Sequence, residues 1–227
     1  MSAPLPPTMA DAPGTTGSAD ASGTPRFDAE LAALLSATAE TADVAGRLHR
    51  RLVEAAATAG ALDVAYRVLD TPVGSLLLAT TETGLVRVAF AQEDHDAVLQ
   101  QLASRLSPRI LRAPARLDDA ARQLDEYFSG TRHEFDLRLD RTLSSGYRRE
   151  IHEYLPLIPY GQTASYAQIA LATGRPKAVR AVGTACATNP LPVVVPCHRV
   201  LRSDGTLGGY LGGTEAKTRL LGLESAA

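Results

Sequence analysis

The hydrophobic period changes partway along this chain of 227 residues. Residues 64–69 and 75–90 hold short apolar runs, VAYRVL, SLLLAT and LVRVAF, separated by the turn signals TPVG at 71–74 and ETG at 82–84. Such runs are typical of a β-hairpin or meander. Beyond residue 145 the apolar pattern is almost wholly helical and is broken by Gly- and Pro-rich loops. The chain is therefore restricted to an α+β fold in which the sheet precedes most of the helices.

Weaker patterns complete the predicted organisation. Residues 94–106 and 117–128 have helical periodicity, and HEFDLRLD at 133–140 alternates with period two and predicts another strand. Apolar residues at three- and four-residue steps predict one or two amphipathic helices over 28–59. The start of the chain is rich in Ala, Pro, Gly, Ser and Thr and predicts disorder. The predicted segments are a disordered tail (1–25), an extra helical segment (26–60), an α+β domain (61–143) and a helical domain (144–227).

Composition excludes several classes of protein. No apolar run approaches the roughly 18 residues that a membrane span needs, and the N-terminus lacks the features of a secretory signal. We therefore expect a cytoplasmic protein without a membrane partner. Two cysteines, Cys186 and Cys197, cannot build a disulfide framework or a four-thiolate zinc site. The net charge of −2 is unevenly distributed, because residues 141–227 carry ten Lys and Arg against five Asp and Glu and the rest of the chain is acidic.

Two short helices in the last third form a helix-turn-helix candidate. Ser165 followed by Gln168 is a capping box that starts the first helix, and Gly174 ends it. Pro176 suits the first turn of a second helix, PKAVRAVGTACA. Many helical hairpins never touch DNA, so spacing alone leaves the function of this pair open.

The second helix has two contrasting faces. At 100° per residue one face is basic and otherwise small, and the opposite face is apolar. The basic face comprises Lys177, Arg180, Ala181, Thr184 and Thr188, and the apolar face comprises Val179, Val182 and Cys186. The basic face is either an ordinary solvated surface or one that lets the backbone approach a groove closely, and Cys186 is most simply a buried packing residue.

The segment NPLPVVVPCHRV at 189–200 carries the candidate nucleophile. Val193–Val195 predict a short buried strand, which Pro196 ends. This would present Cys197 and His198 together, and a thiol becomes a good nucleophile beside a base or a cation. The alternative is a buried structural cysteine beside a capping histidine.

These motifs together resemble those of the methylated-DNA-protein-cysteine methyltransferases, the 6-O-alkylguanine-DNA alkyltransferases. The resemblance rests on RAVGTACATNP, PCHRV, GGYLGG and a helix that bears Lys217 and ends in GLE. It is close from about Tyr147 to Glu224, looser over 64–140, and absent from the first 60 residues. It implies a small N-terminal α/β (ribonuclease H-like) domain followed by a mostly helical, winged helix-turn-helix-like domain. It also implies irreversible transfer of the methyl group of 6-O-methylguanine to the protein itself, without a cofactor or metal.

The resemblance assigns catalytic roles. Cys197 is the expected alkyl acceptor, His198 its base acting through water, and Glu224 the residue that orients His198. Tyr166 is expected to hydrogen-bond the base and assist protonation of the leaving guanine; a tyrosine packed in the core is the alternative for that position.

The resemblance also assigns binding residues. Arg180 is expected to fill the space left when a nucleotide flips out of double-stranded DNA, with the helix in the minor groove. Lys177, Ala181 and Thr184 share its face. The expected substrate pocket comprises Asn189, Pro192, Val200, Tyr210, Leu211 and Lys217. A solvated lysine is the alternative for Lys217, and we expect the protein to act as a monomer.

The sequence departs from the family pattern at several positions. Tyr147 and His152 stand where the family commonly has phenylalanine and tryptophan, and Arg175 stands where some relatives have a capping asparagine. No cysteine precedes Cys186, so the zinc module of the fused regulators, and transcriptional regulation with it, is not expected. Rival functions are a non-catalytic sensor of alkylated DNA, which usually lacks the acceptor Cys197, a helix-turn-helix regulator and a cysteine hydrolase.

Overall fold

The computed structural model describes residues 25–225, with side chains described from residue 41 onward apart from residue 42. The tail predicted for residues 1–25 lies almost wholly outside this range. The described part of the chain divides into two units, which meet between Leu48 and His49. Within the described range no helix is both long and apolar enough to cross a membrane.

A single helix, α1 (Pro25–Thr58), occupies the segment for which one or two helices were predicted. Val53 and Ala56, near its C-terminal end, pack against a small apolar cluster formed by Leu62, Ala65 and Ala113. The end of α1 is thereby fixed to the sheet that follows it.

The sheet has four strands in the order β3-β2-β1-β4. The strands are β1 (Val64–Thr71), β2 (Gly74–Thr80), β3 (Leu85–Phe90) and β4 (Ile110–Arg112). The first three form the predicted meander, with antiparallel pairing of β1 with β2 and of β2 with β3. Strand β4 was not predicted; it follows helix α2 (His95–Arg105) and runs parallel to β1.

Strand β2 is buried on both faces. Leu76 and Leu78 belong to the main core, whereas Leu77 and Ala79 belong to a second core that α2 covers. The main core also receives Leu124 from α3 (Asp118–Phe128). Because both faces are covered, β2 is a continuous apolar run rather than an alternating one.

The strand predicted for residues 133–140 is wrong. The segment makes only one isolated bridge, between Leu139 and Leu85. Its backbone pairs instead with a side chain: the N–H of Asp136 donates to Oε1 of Gln123 at 2.8 Å, and Nε2 of Gln123 donates to the Asp136 carbonyl at 2.9 Å. An amide side chain thus satisfies backbone groups that a neighbouring strand would otherwise pair. The alternating pattern arises because every second side chain faces the core, and not because the segment forms the hydrogen-bond ladder of a β-strand.

The C-terminal part is helical. Its elements are α4 (Gly146–Tyr154), β5 (Ala164–Ser165), α5 (Tyr166–Ala172), α6 (Val179–Ala187), β6 (Val200–Leu201) and α7 (Gly213–Ser225). The short strands β5 and β6 pair in parallel. The main core continues from the sheet into α6 and α7 through Val182 and Leu220. The α+β fold class is confirmed; the domain boundary at residues 143 and 144 stays a prediction.

The helix-turn-helix pair is formed by α5 and α6. The capping box is present, since Ser165 Oγ accepts from the N–H of Gln168 and Gln168 Oε1 accepts from the N–H of Ser165. The second helix begins later than Pro176, because the N–H of Ala178 donates to the Arg175 carbonyl at 2.8 Å and closes a turn around the proline. Lys177 therefore lies in the connecting turn rather than in the helix.

Candidate active site

Cys197 lies at the end of a buried loop that follows α6 and is 2% exposed. The strand predicted for Val193–Val195 is wrong. The N–H of Val195 donates to the Leu191 carbonyl at 2.7 Å and closes a turn, and Val193 has a φ of +72°. A β-branched residue is strained at positive φ, so this loop is held by its surroundings and not by its own conformational preference.

Asn189 holds the loop from its first residue. Its Oδ1 accepts from the N–H of Leu191 at 3.0 Å. Its Nδ2 donates to the Val195 carbonyl at 2.9 Å and to Sγ of Cys197 at 3.1 Å. One buried side chain therefore connects the end of α6 to the sulfur.

The carboxylate of Glu224, in the last turn of α7, is 2% exposed and collects hydrogen bonds from several elements. Nε2 of His198 lies 2.9 Å from Oε1, and the guanidinium of Arg199 donates to both oxygens at 2.9 Å. The hydroxyl of Tyr127 donates to Oε1 at 2.7 Å, and the N–H of Gly161 donates to Oε2 at 3.2 Å. The predicted pair of His198 and Glu224 is thus part of a larger buried network.

The network fixes the charge of Glu224. Burial alone would raise its pKa, but the hydrogen bonds from His198, Arg199 and Tyr127 outweigh burial and lower the pKa to about 2. Arg199 is itself secured, because its Nη1 donates to the Ile158 carbonyl at 2.6 Å. Glu224 therefore remains an anion across the physiological pH range.

The imidazole of His198 is fully buried, and burial lowers its pKa despite the opposing effect of Glu224. A carboxylate can only accept, so Nε2 carries the hydrogen in the neutral ring. Nδ1 is then the basic nitrogen, and it has no hydrogen-bond partner among the described residues. His198 is thus a neutral imidazole with one nitrogen available to take a proton.

Burial raises the pKa of the Cys197 thiol to about 11, although the Asn189 amide and the charge of Lys217 act in the opposite direction. The resting group is therefore a thiol and not a thiolate. A thiolate forms only when a base removes the proton, which makes the neighbouring relay necessary for nucleophilic chemistry.

Lys217 is fully buried, so the alternative of a solvated lysine is wrong. Its Nζ donates to the Val200 carbonyl at 2.6 Å, and burial lowers its pKa. Val200 directly follows the turn that carries Cys197, so this hydrogen bond attaches Lys217 of α7 to the end of that turn.

An open depression lies beside this buried site. It is lined by Tyr166, Gly183, Ala187, Arg202, Gly208, Gly209, Tyr210 and Leu211. Tyr166 begins α5 and is half-buried rather than fully packed in the core. A Cβ at Gly208 would lie 2.3 Å from its hydroxyl, so only glycine permits this close approach.

Tyr210 connects the depression to the catalytic residues. Its ring centroid lies 6.3 Å from that of His198 and 5.6 Å from that of Phe90, in edge-to-face arrangements. Pro192 is buried in the loop before Cys197 and does not line the depression. Of the predicted pocket residues, Tyr210 and Leu211 line it, whereas Asn189, Val200 and Lys217 are buried and do not line it.

The exposed face of α6 is small and positively charged. Arg180 and Thr184 are exposed, and Ala181 is half-buried. Neither Arg180 nor Lys177 makes an ion pair with any described residue. The Thr184 hydroxyl donates back to the Arg180 carbonyl at 3.1 Å and not to the exposed face of the helix.

The predicted apolar face of α6 needs one correction. Val182 and Cys186 are buried as expected, but Val179 is 37% exposed. Val179 is the first residue of the helix. Ala185 is buried in its place.

The family-pattern departures in α4 have their own packing. His152 is 2% exposed; its Nδ1 lies 2.8 Å from Oγ of Ser144, and its Nε2 lies 2.8 Å from the carbonyl of Ala185 in α6. The hydroxyl of Tyr147 pairs with that of Thr173 at 2.8 Å. Hydrogen bonds therefore attach α4 to the helix-turn-helix pair.

Sequence reasoning missed two members of the Glu224 network. Arg199 follows His198 in the motif PCHRV, but the motif does not show that its guanidinium binds the carboxylate of Glu224. Tyr127 carried no signal, because 97 positions separate it from Glu224. Among the described residues no group of three or more His, Cys, Asp or Glu side chains could hold a metal ion.

Comparison with known proteins agrees across both parts of the chain. Residues 64–141 match the ribonuclease-like domain of 6-O-methylguanine DNA methyltransferase, and residues 146–226 match the DNA-binding domain of the same family. The constitutive methylated-DNA–protein-cysteine methyltransferase of Bacillus subtilis is 40% identical over 163 residues, which are 70% of this chain and 94% of that protein. The Methanosarcina barkeri methyltransferase is 37% identical over 70% of this chain and 96% of its own length.

Solved structures give the same result. The O6-methylguanine methyltransferase of Mycobacterium tuberculosis superposes with a TM-score of 0.63 at 36% identity, covering 72% of this chain and 93% of that protein. A structure of the M. tuberculosis protein in complex with DNA also superposes with a TM-score of 0.63, at 37% identity over 71% of this chain and 93% of that one. The chain belongs to the 6-O-methylguanine DNA methyltransferase family.

Proposed function

We propose that this chain is a DNA repair protein that transfers the methyl group of 6-O-methylguanine in DNA to its own Cys197. One observation carries the proposal: in a member of this family, a buried thiol directly precedes a neutral histidine whose orientation is fixed by an anionic carboxylate. The resulting thioether is stable, so each molecule acts once. The relatives bear the name of this same activity.

The transfer is a nucleophilic substitution at carbon. His198 Nδ1 accepts the proton of the Cys197 thiol through a bridging water, and Glu224 stabilises the imidazolium that forms. The thiolate sulfur attacks the methyl carbon, a carbon–sulfur bond forms, and the carbon–oxygen bond breaks with its electron pair going to guanine. Guanine then takes up one proton and the imidazolium of His198 gives one up, so that the products are S-methylcysteine and unmodified, neutral guanine in the DNA.

The leaving guanine is helped by hydrogen bonding. Tyr166 lies at the rim of the depression and is the proposed donor to the base. Tyr210 and Leu211, which line the depression, form part of the base pocket. A hydrogen bond from Tyr166 stabilises the negative charge that develops on guanine as the carbon–oxygen bond breaks.

The lesion must leave the helical stack to reach a thiol that is 2% exposed, at a cost of a few kcal/mol. We place α6 in the minor groove, where the small Ala181 permits close approach and Arg180 enters the space that the nucleotide vacates. Lys177 and Thr184 lie beside Arg180 and contact the sugar-phosphate backbone of the DNA. The protein acts as a monomer in the cytoplasm and requires no cofactor.

The proposal is tested by mass spectrometry. The full chain is incubated with a duplex containing 6-O-methylguanine, and intact and peptide masses are then measured. One added methyl group on the Cys197 peptide is expected, together with loss of the lesion. Cys186→Ala should react normally, whereas Cys197→Ala should bind DNA without repairing it. A duplex that is bound while Cys197 stays unmodified identifies a sensor and overturns the proposal.

The role of Arg180 is tested separately. Arg180→Ala should slow repair in duplex DNA much more than reaction with free 6-O-benzylguanine, because only the duplex requires a nucleotide to be flipped. Arg122→Ala removes the same charge from an exposed position on α3 and should alter neither rate. Equal losses on both substrates in Arg180→Ala contradict the assigned role.

A further inference from the structure

The part of the chain that matches the ribonuclease-like domain contributes a side chain to the catalytic network. Tyr127 is fully buried near the end of α3, within residues 64–141, whereas Glu224 lies within residues 146–226. The Tyr127 hydroxyl donates to Glu224 Oε1 at 2.7 Å. The phenol stays protonated, because burial and the charge of Glu224 raise its pKa above its ordinary value. Tyr127 is therefore a permanent donor to this carboxylate.

The hydroxyl competes with His198 for one oxygen. Oε1 of Glu224 accepts from Tyr127 at 2.7 Å, from Nε2 of His198 at 2.9 Å and from Nη2 of Arg199 at 2.9 Å. A carboxylate oxygen presents about two lone-pair positions, so these donors exceed what it can accept well. The Tyr127 bond is the shortest of them and reduces the negative charge that His198 experiences.

The other neighbours of Glu224 do not place a hydroxyl on Oε1 in competition with His198. Nε of Arg199 and the N–H of Gly161 bind the other oxygen, Oε2. Tyr160 packs edge-to-face on Tyr127 with a centroid distance of 6.1 Å, but its hydroxyl donates to the carbonyl of Leu223 at 3.4 Å. Lys217, on the same helix as Glu224, donates to the Val200 carbonyl. Among the described residues Tyr127 alone places a hydroxyl on the catalytic carboxylate.

We propose that Tyr127 is a positioning residue for methyl transfer, which weakens the hold of Glu224 on His198 and so keeps His198 neutral and able to accept the thiol proton. The inference rests on the proposed function for its consequence, but it concerns a property of the relay that exists without DNA. When the hydroxyl is removed, Glu224 Oε1 concentrates its charge on His198, and the imidazolium becomes more favourable.

Tyr127→Phe tests the inference, because it removes one oxygen and keeps the ring. The full-length protein is alkylated with iodoacetamide, in which the thiolate sulfur displaces iodide, and the rate at Cys197 is followed by peptide mass. The measurements run from about pH 4 to pH 10, so that they begin well below the ordinary histidine titration, because burial lowers the pKa of His198. The acid limb of the rate profile should move to higher pH by about half a unit to one unit. The rate on the alkaline side should equal or exceed that of the wild type, because a stronger base forms more thiolate.

Two further variants make the result specific. Tyr160→Phe removes a hydroxyl from the neighbouring ring and should leave the profile unchanged. In a Glu224→Gln background, Tyr127→Phe should add no further shift, because the effect passes through the carboxylate. An unshifted profile, a shift to lower pH, an equal loss of rate at every pH, or a shift that persists without the carboxylate overturns the inference. The proposed function fails independently, if Cys197 is not methylated by damaged DNA.

Discussion

Gly212 offers a sharp test of how the sheet supports the loop that holds Tyr210. A Cβ at Gly212 would lie 2.6 Å from two ring carbons of Phe90, at the end of β3. The ring is 2% exposed and packs on Tyr210, so it cannot swing into solvent. Gly212 does not have a positive φ, so alanine fits its backbone conformation and the clash with Phe90 is the main obstacle.

Gly212→Ala should therefore lower the free energy of unfolding by about 1–3 kcal/mol, the usual cost of an added carbon in a packed core. Equilibrium urea denaturation measures this loss through the transition midpoint. Methyl transfer should also slow, because displacement of Phe90 moves Tyr210, whose ring lies beside His198.

Gly209→Ala is the matched control for stability, because a Cβ there meets nothing within 4 Å. Phe90→Leu should partly rescue Gly212→Ala, so that the double variant is less destabilised than the sum of the single changes. The reasoning is refuted if Gly212→Ala is as stable as Gly209→Ala, or if the two changes at Gly212 and Phe90 are simply additive.

Two other predictions concern buried polar groups. Arg199→Met leaves the carboxylate of Glu224, whose side chain is 1% exposed, without its guanidinium and should cost about 3–5 kcal/mol in urea denaturation; Arg149→Met, which breaks an exposed pair, should cost no more than about 1 kcal/mol. Burial lowers the pKa of His152 in the folded chain, so the unfolded chain binds the proton first and stability should fall as pH drops below about 6.5. His152→Gln should reduce the slope of this fall, and an unchanged slope would exclude His152 as a source.

The sequence predicted the meander and the helix-turn-helix pair because turn signals, a capping box and periodicity are local properties. It failed where distant partners decide the local structure. The segment 133–140 alternates like a strand, yet the side chain of Gln123 pairs with the backbone N–H and carbonyl of Asp136. Val193 looks like part of a strand, yet the surrounding contacts hold it at positive φ.

In the candidate site, too, local motifs were predicted from the sequence and contacts between distant residues were not. The motif PCHRV and its resemblance identified Cys197 and His198, and the last helix supplied Glu224. No periodicity could show that Tyr127 meets Glu224, since that contact depends on how α3 packs against α7. The burial of Lys217 was equally hidden, because its position on a helix looks the same in sequence whether the side chain faces water or the core.

Because β2 is buried on both faces, its even-numbered and odd-numbered residues lie in different cores. Leu76 and Leu78 share a core with Cys197, whereas Leu77 and Ala79 face the other core, beneath α2. Residues that are adjacent in the strand therefore lie on opposite sides of the sheet. A change of side-chain volume at Leu76 or Leu78 therefore alters the core that contains Cys197, whereas the same change at Leu77 or Ala79 alters the core beneath α2.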